Sequence, residues 1–307
     1  MEELIGIFSH DILPIFIVIG LGFVLGRRLP IDVAALTRAA FYVFSPCLAF
    51  TSLVRSTLDG SVLIQIASHA ILVAFVMGGL GWLGARLFRM DPPGTAALVM
   101  VCMFVNAGNY GLGVNQRAFG DEGLARAVVY FTTSTLLVYT AGVSIAAGSD
   151  GSGLRGAIRR IFEVPPVYAV IGAFAVRLLA IDVMQPALEP IMAGLDVAAR
   201  ATIPLMLLIL GVQLARTTVV HHLRPALAAS GLRLLIAPIV AWVLAGVVGL
   251  TGLARQVSIV EASMPAAVIN IILATEYRAA PELVTGAVLI STLLSPFTLS
   301  VIISLLK

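Results

Sequence analysis

Apolar runs of about twenty residues recur along this chain with few charges inside them, and that pattern restricts the fold more than any other. The hydrocarbon core of a bilayer is about 30 Å thick, and a helix rising about 1.5 Å per residue needs roughly 20 apolar residues to cross it. Ten such spans are read, at 8–26, 33–54, 62–88, 93–117, 122–147, 162–181, 192–215, 225–249, 254–276 and 282–306. The expected class is an all-α integral membrane protein. Of 307 residues, 60% are hydrophobic and 11% charged. An average soluble domain is about 25% charged, so this chain has too few polar residues to cover a water-facing surface.

The formal charge of +3 comes from scattered arginines, with Lys307 the only lysine. No basic run is interleaved with aromatics, so no nucleic-acid partner is expected. Cys47 and Cys102 lie in apolar stretches and read as packing residues. His10, His69, His221 and His222 have no metal-ligand spacing, so no metal or other cofactor is expected. The start of the chain carries Glu2 and Glu3 in place of a basic region, and Arg27 and Arg28 follow the first apolar run. That reads as a retained first span.

Orientation follows from the arginines. The connections after spans 1, 3, 5, 7 and 9 carry Arg27, Arg28, Arg86, Arg89, Arg155, Arg159, Arg160, Arg216, Arg224 and Arg278. The opposite side carries Arg55, Arg117, Arg126, Arg255 and Lys307. The richer side is expected in the cytoplasm, with both termini outside a plasma (inner) membrane.

The two halves resemble each other in order. Pro14–Gly20 in span 1 parallels Pro166–Gly172 in span 6; Val73–Gly79 in span 3 parallels Val240–Gly246 in span 8; Ser134–Leu137 in span 5 parallels Ser291–Leu294 in span 10. Residues 1–148 and 161–307 are read as two five-helix repeats joined by a polar cytoplasmic linker at 149–160. Five is odd, so the second repeat must be inverted. Inverted repeats favour alternating access, with the site at interrupted helices near the bilayer midplane.

Two interruptions are expected. Span 4 contains Asn106-Ala-Gly-Asn-Tyr-Gly-Leu-Gly113, poor in helix formers. Span 9 contains Ser263-Met-Pro-Ala-Ala-Val-Ile-Asn270, where Pro265 removes a helix hydrogen bond. If the breaks cross, two half-helix N-termini converge on one spot suited to an anion. The competing reading is close glycine packing in span 4 and a simple kink in span 9. Glu261, one turn before Pro265, is the candidate for proton or cation coupling if it lies inside the membrane. Asp11, Asp196, Arg200 and Arg177 are placed near span ends, and Arg38 and Arg233 at cytoplasmic ends. The hydroxyls of Thr132–Thr135, Ser291, Thr292 and Ser295 are expected to bond their own helices or to line a cavity.

These motifs resemble the auxin efflux carrier family, which includes plant PIN proteins and bacterial malonate-type carriers. The residues that carry the likeness are Pro46–Phe50, Asn106–Gly113, Pro165-Pro166, Pro204–Gly211 with Leu214, Leu232–Pro238, Met264–Ala266 with Ala274 and Tyr277, and Ser291–Ser295 with Thr298 and Leu299. Gly113 departs from the family pattern, which has proline there. The resemblance implies ten helices in two inverted repeats, as in bile acid symporters. Scaffold helices 1, 2, 6 and 7 would support transport helices 3–5 and 8–10, with helices 4 and 9 broken and crossed. It further implies a homodimer in membrane lipid moving a small organic anion by elevator-type displacement. The expected substrate contacts are Asn106, Gly108, Asn109 and Gly111 from helix 4, with Met264, Pro265, Ala266 and Asn270 from helix 9. The coupling ion would be H+ or Na+. Two other classes are weighed. A passive anion channel would conduct far faster than a carrier. An intramembrane enzyme would need a nucleophile with a base, paired carboxylates or metal ligands, and no such constellation is apparent.

Overall fold

The computed structural model describes residues 2–147, 164–183, 185–216 and 223–307. The whole expected linker at 149–160, with Arg155, Arg159 and Arg160, lies outside the described residues, as do His221 and His222. All regular structure among the described residues is helical, and the one strand-like pairing is an antiparallel bridge between Val105 and Ala266. Among the described residues, seven helices are long and apolar enough to cross a membrane: α1 (Leu4–Arg28), α2 (Val33–Val54), α3 (Gly60–Leu87), α5 (Ala107–Ala147), α7 (Glu189–Ala215), α8 (Leu223–Val248) and α11 (Pro281–Leu306). Between them lie shorter helices: α4 (Pro92–Met103), α6 (Pro165–Leu178), α9 (Gly252–Ala262) and α10 (Ile269–Glu276).

Local chemistry explains most boundaries. Asp32 caps α2 by accepting the Ala35 amide at 3.1 Å, and Asp91 caps α4 by accepting the Gly94 amide at 2.9 Å. Gly249 ends α8 in the left-handed region at φ 78°, where an L side chain is strained. Gly120 does the same inside α5, at φ 69° and ψ −163°. A side chain there would meet nothing nearby, so the dihedral and not crowding requires glycine. This turn divides α5 into an arm continuing the fourth sequence span and an arm forming the fifth.

Three wide π-turns share one cause. Phe8–Ile12 precedes Pro14, Ala40–Phe44 precedes Pro46, and Leu232–Ile236 precedes Pro238, each ending two residues before the proline. Proline has no amide hydrogen and its ring crowds the carbonyl four residues back. Widening the turn relieves that clash without ending the helix.

Apolar stripes face outward. On α8, Ile239, Val243 and Val247 form one exposed row; Ile17, Leu21 and Val24 do so on α1. This is the surface expected against lipid chains. Where helices meet each other, small residues dominate. α1 packs on α7, and α2 packs on α6 and α7. At the α1–α7 seam a Cβ on Gly211 would overlap the Ile19 carbonyl and come within 2.7 Å of the Phe23 nitrogen. Lipid gives no hydrophobic drive for helix pairing, so this close approach supplies the packing attraction. Replacing Gly211 with Ala is expected to force the backbones apart and cost about 1–3 kcal/mol. The check is the thermal unfolding midpoint of the purified protein in detergent; an unchanged midpoint would contradict tight packing at this seam.

Candidate functional site

Two chain breaks meet at one place. α4 ends at Met103, and α5 begins at Ala107; α9 ends at Ala262, and α10 begins at Ile269. The extended segments between them pair antiparallel. The Asn106 amide donates to the Pro265 carbonyl at 2.9 Å, and the Ala267 amide donates to the Phe104 carbonyl at 3.0 Å. Ser291 Oγ accepts the Ala266 amide at 3.2 Å. Exposed backbone groups in hydrocarbon cost several kcal/mol each, and this mutual pairing removes four of them.

The C-terminal ends of α4 and α9 are also satisfied from within. Asn270 Nδ2 donates to the carbonyls of Met100 at 3.2 Å and Phe104 at 3.4 Å. The Arg233 guanidinium donates to the carbonyls of Cys102 (2.7 Å), Met264 (3.1 Å) and Ala262. The N-terminal ends differ. First-turn amides of a helix have no intrahelical acceptor. Here they belong to Ala107, Gly108 and Asn109 on one side and Val268 and Ile269 on the other, and all five residues line a single cavity of about 310 Å³. Asn106 and Ala267 line it too. Its opposite wall comes from α2 (Thr37, Arg38, Phe41, Tyr42) and Gln213 of α7, and α5 adds Phe131, Ser134, Thr135, Val138 and Tyr139. Arg38 makes no hydrogen bond or ion pair among the described residues. The cavity thus has two helix ends of positive polarity, a cation and several amide and hydroxyl groups. Those features suit an anion with an apolar or aromatic body.

Behind the crossing lies a carboxylate. Glu261 is fully buried, and its Oε1 accepts from Asn115 Nδ2 at 2.9 Å. Its Oε2 and the Oδ1 of Asn115 have no hydrogen-bond partner among the described residues. Gly111 is the first-turn residue beneath it: a Cβ there would come within 2.8 Å of the Glu261 carboxyl carbon. Gly108 has the same relation to Phe131, whose ring would sit 2.6 Å from an added Cβ.

A second cavity, about 420 Å³, lies at the other end of α2 and α7, against the turn at Gly120. It is polar, with Ser52, Gln116, Asp121, Glu122 and Arg200. There Arg55 makes a two-pronged ion pair with Asp196 at 2.5 and 2.9 Å, tying α2 to α7.

Of the residues expected from sequence, Asn106, Gly108 and Asn109 line the first cavity. Gly111, Met264, Pro265, Ala266 and Asn270 are gathered at the crossing but do not line it. Met264 and Pro265 contribute carbonyls, Ala266 an amide, and Asn270 its side chain to the crossing's own bonds. The break falls at 104–106, at the start of the motif, so Gly113 lies inside α5, where an added Cβ would come within 3.2 Å of the Ile203 side chain. Glu261 is inside the protein and not at a surface. Among the hydroxyls, Thr132, Thr133 and Ser295 bond their own helices, while Ser134 and Thr135 line the cavity. Arg233 corrects the sequence reading. It was placed at a cytoplasmic end, and it has 0% exposure at the centre of the fold. The missed signal is its position before Pro238, since the π-turn there re-aims the side chain inward.

A fold of membrane-length helices around paired helix breaks, with a polar cavity on each side, defines a membrane transport protein. The chain belongs to the family described as membrane transport protein, whose model matches residues 7–303. This is the family that the auxin efflux carrier motifs indicated. It is 33% identical over 293 residues to an uncharacterized transporter of Methanothermobacter thermautotrophicus, covering 94% of each chain. It is 26% identical over 269 residues to an uncharacterized transporter of Methanocaldococcus jannaschii, covering 85% of each.

Replacing Gly111 with Ala is expected to displace the Glu261 carboxyl and lower the unfolding midpoint. Replacing both, Gly111→Ala with Glu261→Ala, should cost less than the two single effects summed, by about 0.5–3 kcal/mol of coupling. Thermal unfolding of the four proteins in one detergent measures this, and additive effects would show that the two residues do not touch.

Proposed function

We propose that the protein is a secondary transporter of a small organic anion, a carboxylate, working by alternating access. One observation carries this reading: the first-turn residues of two half-helix starts line the same cavity as Arg38, and first-turn amides have no intrahelical acceptor. A carboxylate there replaces the missing acceptors on both helix ends at once. Asn106 and Asn109 supply side-chain amides to orient it, and Phe41, Tyr42, Phe131 and Tyr139 surround its body.

The helices assemble as ten spans in two inverted repeats. Spans 4 and 9 are each made of two pieces: α4 with the first arm of α5, and α9 with α10. Helices α1, α2, α6 and α7 form the scaffold; the remainder forms the transport unit, sliding in an elevator-like step. Support for this division is the position of the two cavities, both between α2–α7 and the broken helices but at opposite ends. The larger arginine set flanks the end that holds the first cavity, which therefore faces the cytoplasm, with both termini outside the inner membrane. The protein acts as a homodimer in lipid.

Glu261 is the coupling group. A buried carboxylate oxygen with no partner is costly while ionised, so it carries a proton or holds Na+ during the cycle. Asn115 holds it from the other broken helix, and this contact links coupling to the geometry of the crossing.

The test is uptake of labelled malonate into proteoliposomes, with inward proton and sodium gradients imposed separately. Uptake driven by one gradient and competed by unlabelled dicarboxylates is expected. Replacing Asn109 with Ala should abolish it without lowering membrane yield. Normal uptake by that variant would remove Asn109 from the site, and single-channel currents would replace the carrier by a channel.

A further inference from the structure

Arg233 is fully buried, its guanidinium donates to three carbonyls, and it makes no ion pair among the described residues. A charge taken out of water and left unpaired costs several kcal/mol. Here the compensation is backbone. Each helix C-terminus carries about half a negative charge. The acceptors of Arg233 are the last turn of α4, the last residue of α9 and the extended segment after α9. Two half-charges from two helices face one full charge.

We propose that Arg233 is the positioning residue of the anion seat: a fixed clamp that holds the two breaks in register and cancels the negative helix ends behind them. Without it the crossing would present both polarities close together. With it the negative ends are neutral and the positive ends, at Asn106–Asn109 and Ala267–Ile269, set the field in the cavity. The functional half of this inference rests on the anion reading above; the clamp itself does not.

The chemistry is specific to arginine. Nε, Nη1 and Nη2 each take a different carbonyl, and those carbonyls come from two chain segments some 160 residues apart in sequence. Lysine carries the same charge as a compact ammonium and lacks the planar fork. Asn270 works in parallel on the Met100 and Phe104 carbonyls but ties α10 only to the end of α4. Arg233 alone brings a third helix, α8, to both ends.

Hydrogen exchange followed by mass spectrometry on purified wild type, Arg233→Lys and Arg233→Gln tests the clamp without knowing the substrate. The reporters are the Asn106 and Ala267 amides, whose acceptors lie across the crossing. Both variants are expected to exchange at these amides at least about tenfold faster, since neither side chain reproduces the fork, with α1 and α7 unchanged. Exchange unchanged at the crossing in Arg233→Lys, or raised equally throughout α1 and α7, would overturn a local clamp. Uptake of labelled malonate supplies the functional readout. Where wild type transports it, Arg233→Gln is expected to raise KM more than Arg233→Lys does, because only lysine retains the charge. Equal KM changes would overturn the electrostatic role. Absence of wild-type uptake would count against malonate as the cargo and leave the exchange result to decide the clamp.

Discussion

The fold depends on how backbone groups are satisfied where two helices stop inside a membrane. Ending a helix in hydrocarbon strands four amides or four carbonyls. Ending two helices at one point lets part of each stranded set pair with the other chain segment. The bridge between Val105 and Ala266 is the smallest antiparallel pairing that achieves this. It orients the four half-helices so that both C-terminal ends face inward, toward Arg233 and Asn270, and both N-terminal ends face the cavity. The proposed binding surface is thus the set of helix ends that the crossing does not itself pair.

The two ionisable groups near the crossing do different work because they sit on different sides of this arrangement. Arg233 has a backbone carbonyl for each of its three nitrogens. Glu261 is the reverse, with one oxygen held by Asn115 and the other unmatched. No ion pair joins them among the described residues. A pair would have neutralised both and left the crossing electrically inert. Kept apart, the arginine engages the backbone of the crossing, and the carboxylate keeps one oxygen without a hydrogen-bond partner among the described residues, which is the basis of its proposed coupling role.

Much of this was legible in the sequence. Span lengths and the two breaks follow from hydropathy, glycine and proline, because a bilayer imposes one length and one hydrogen-bonding rule on every helix. The cluster Asn106–Asn109 stands out in the sequence because amides and glycines are unusual in an apolar run, and the structure puts it on the first cavity. The partners across the crossing were not. Whether Asn270 faces the cavity or the end of α4 depends on helix rotation, and one step of rotation is about 100°. Arg233 was misplaced because its register is set by the π-turn before Pro238, which shifts every side chain before it relative to a regular helix. The two breaks are built from different residue types, Asn106–Gly113 in one and Ser263–Asn270 in the other, so likeness between the two segments does not reveal their partners.

The glycines of the span 4 motif show how the same residues support two explanations. Read from sequence, Gly108 and Gly111 weaken a helix and so mark its interruption. In the structure the chain has already broken at 104–106, and both glycines lie in the first turn of the resumed helix. They are needed because other side chains occupy the space a Cβ would take: Phe131 over Gly108 and Glu261 over Gly111. Proline does the breaking in the second half, at Pro265, and the positions that follow are the buried Ala266 and Ala267. In the first half the bare backbone lets an aromatic ring and a carboxyl approach the helix start from opposite sides. The ring borders the anion cavity and the carboxyl closes the rear, so one turn of helix separates the proposed substrate seat from the proposed coupling group. On the proposed reading, a ligand that tightened this turn from the cavity side would press on the backbone against which the Glu261 carboxyl lies, a short connection through Gly108 and Gly111.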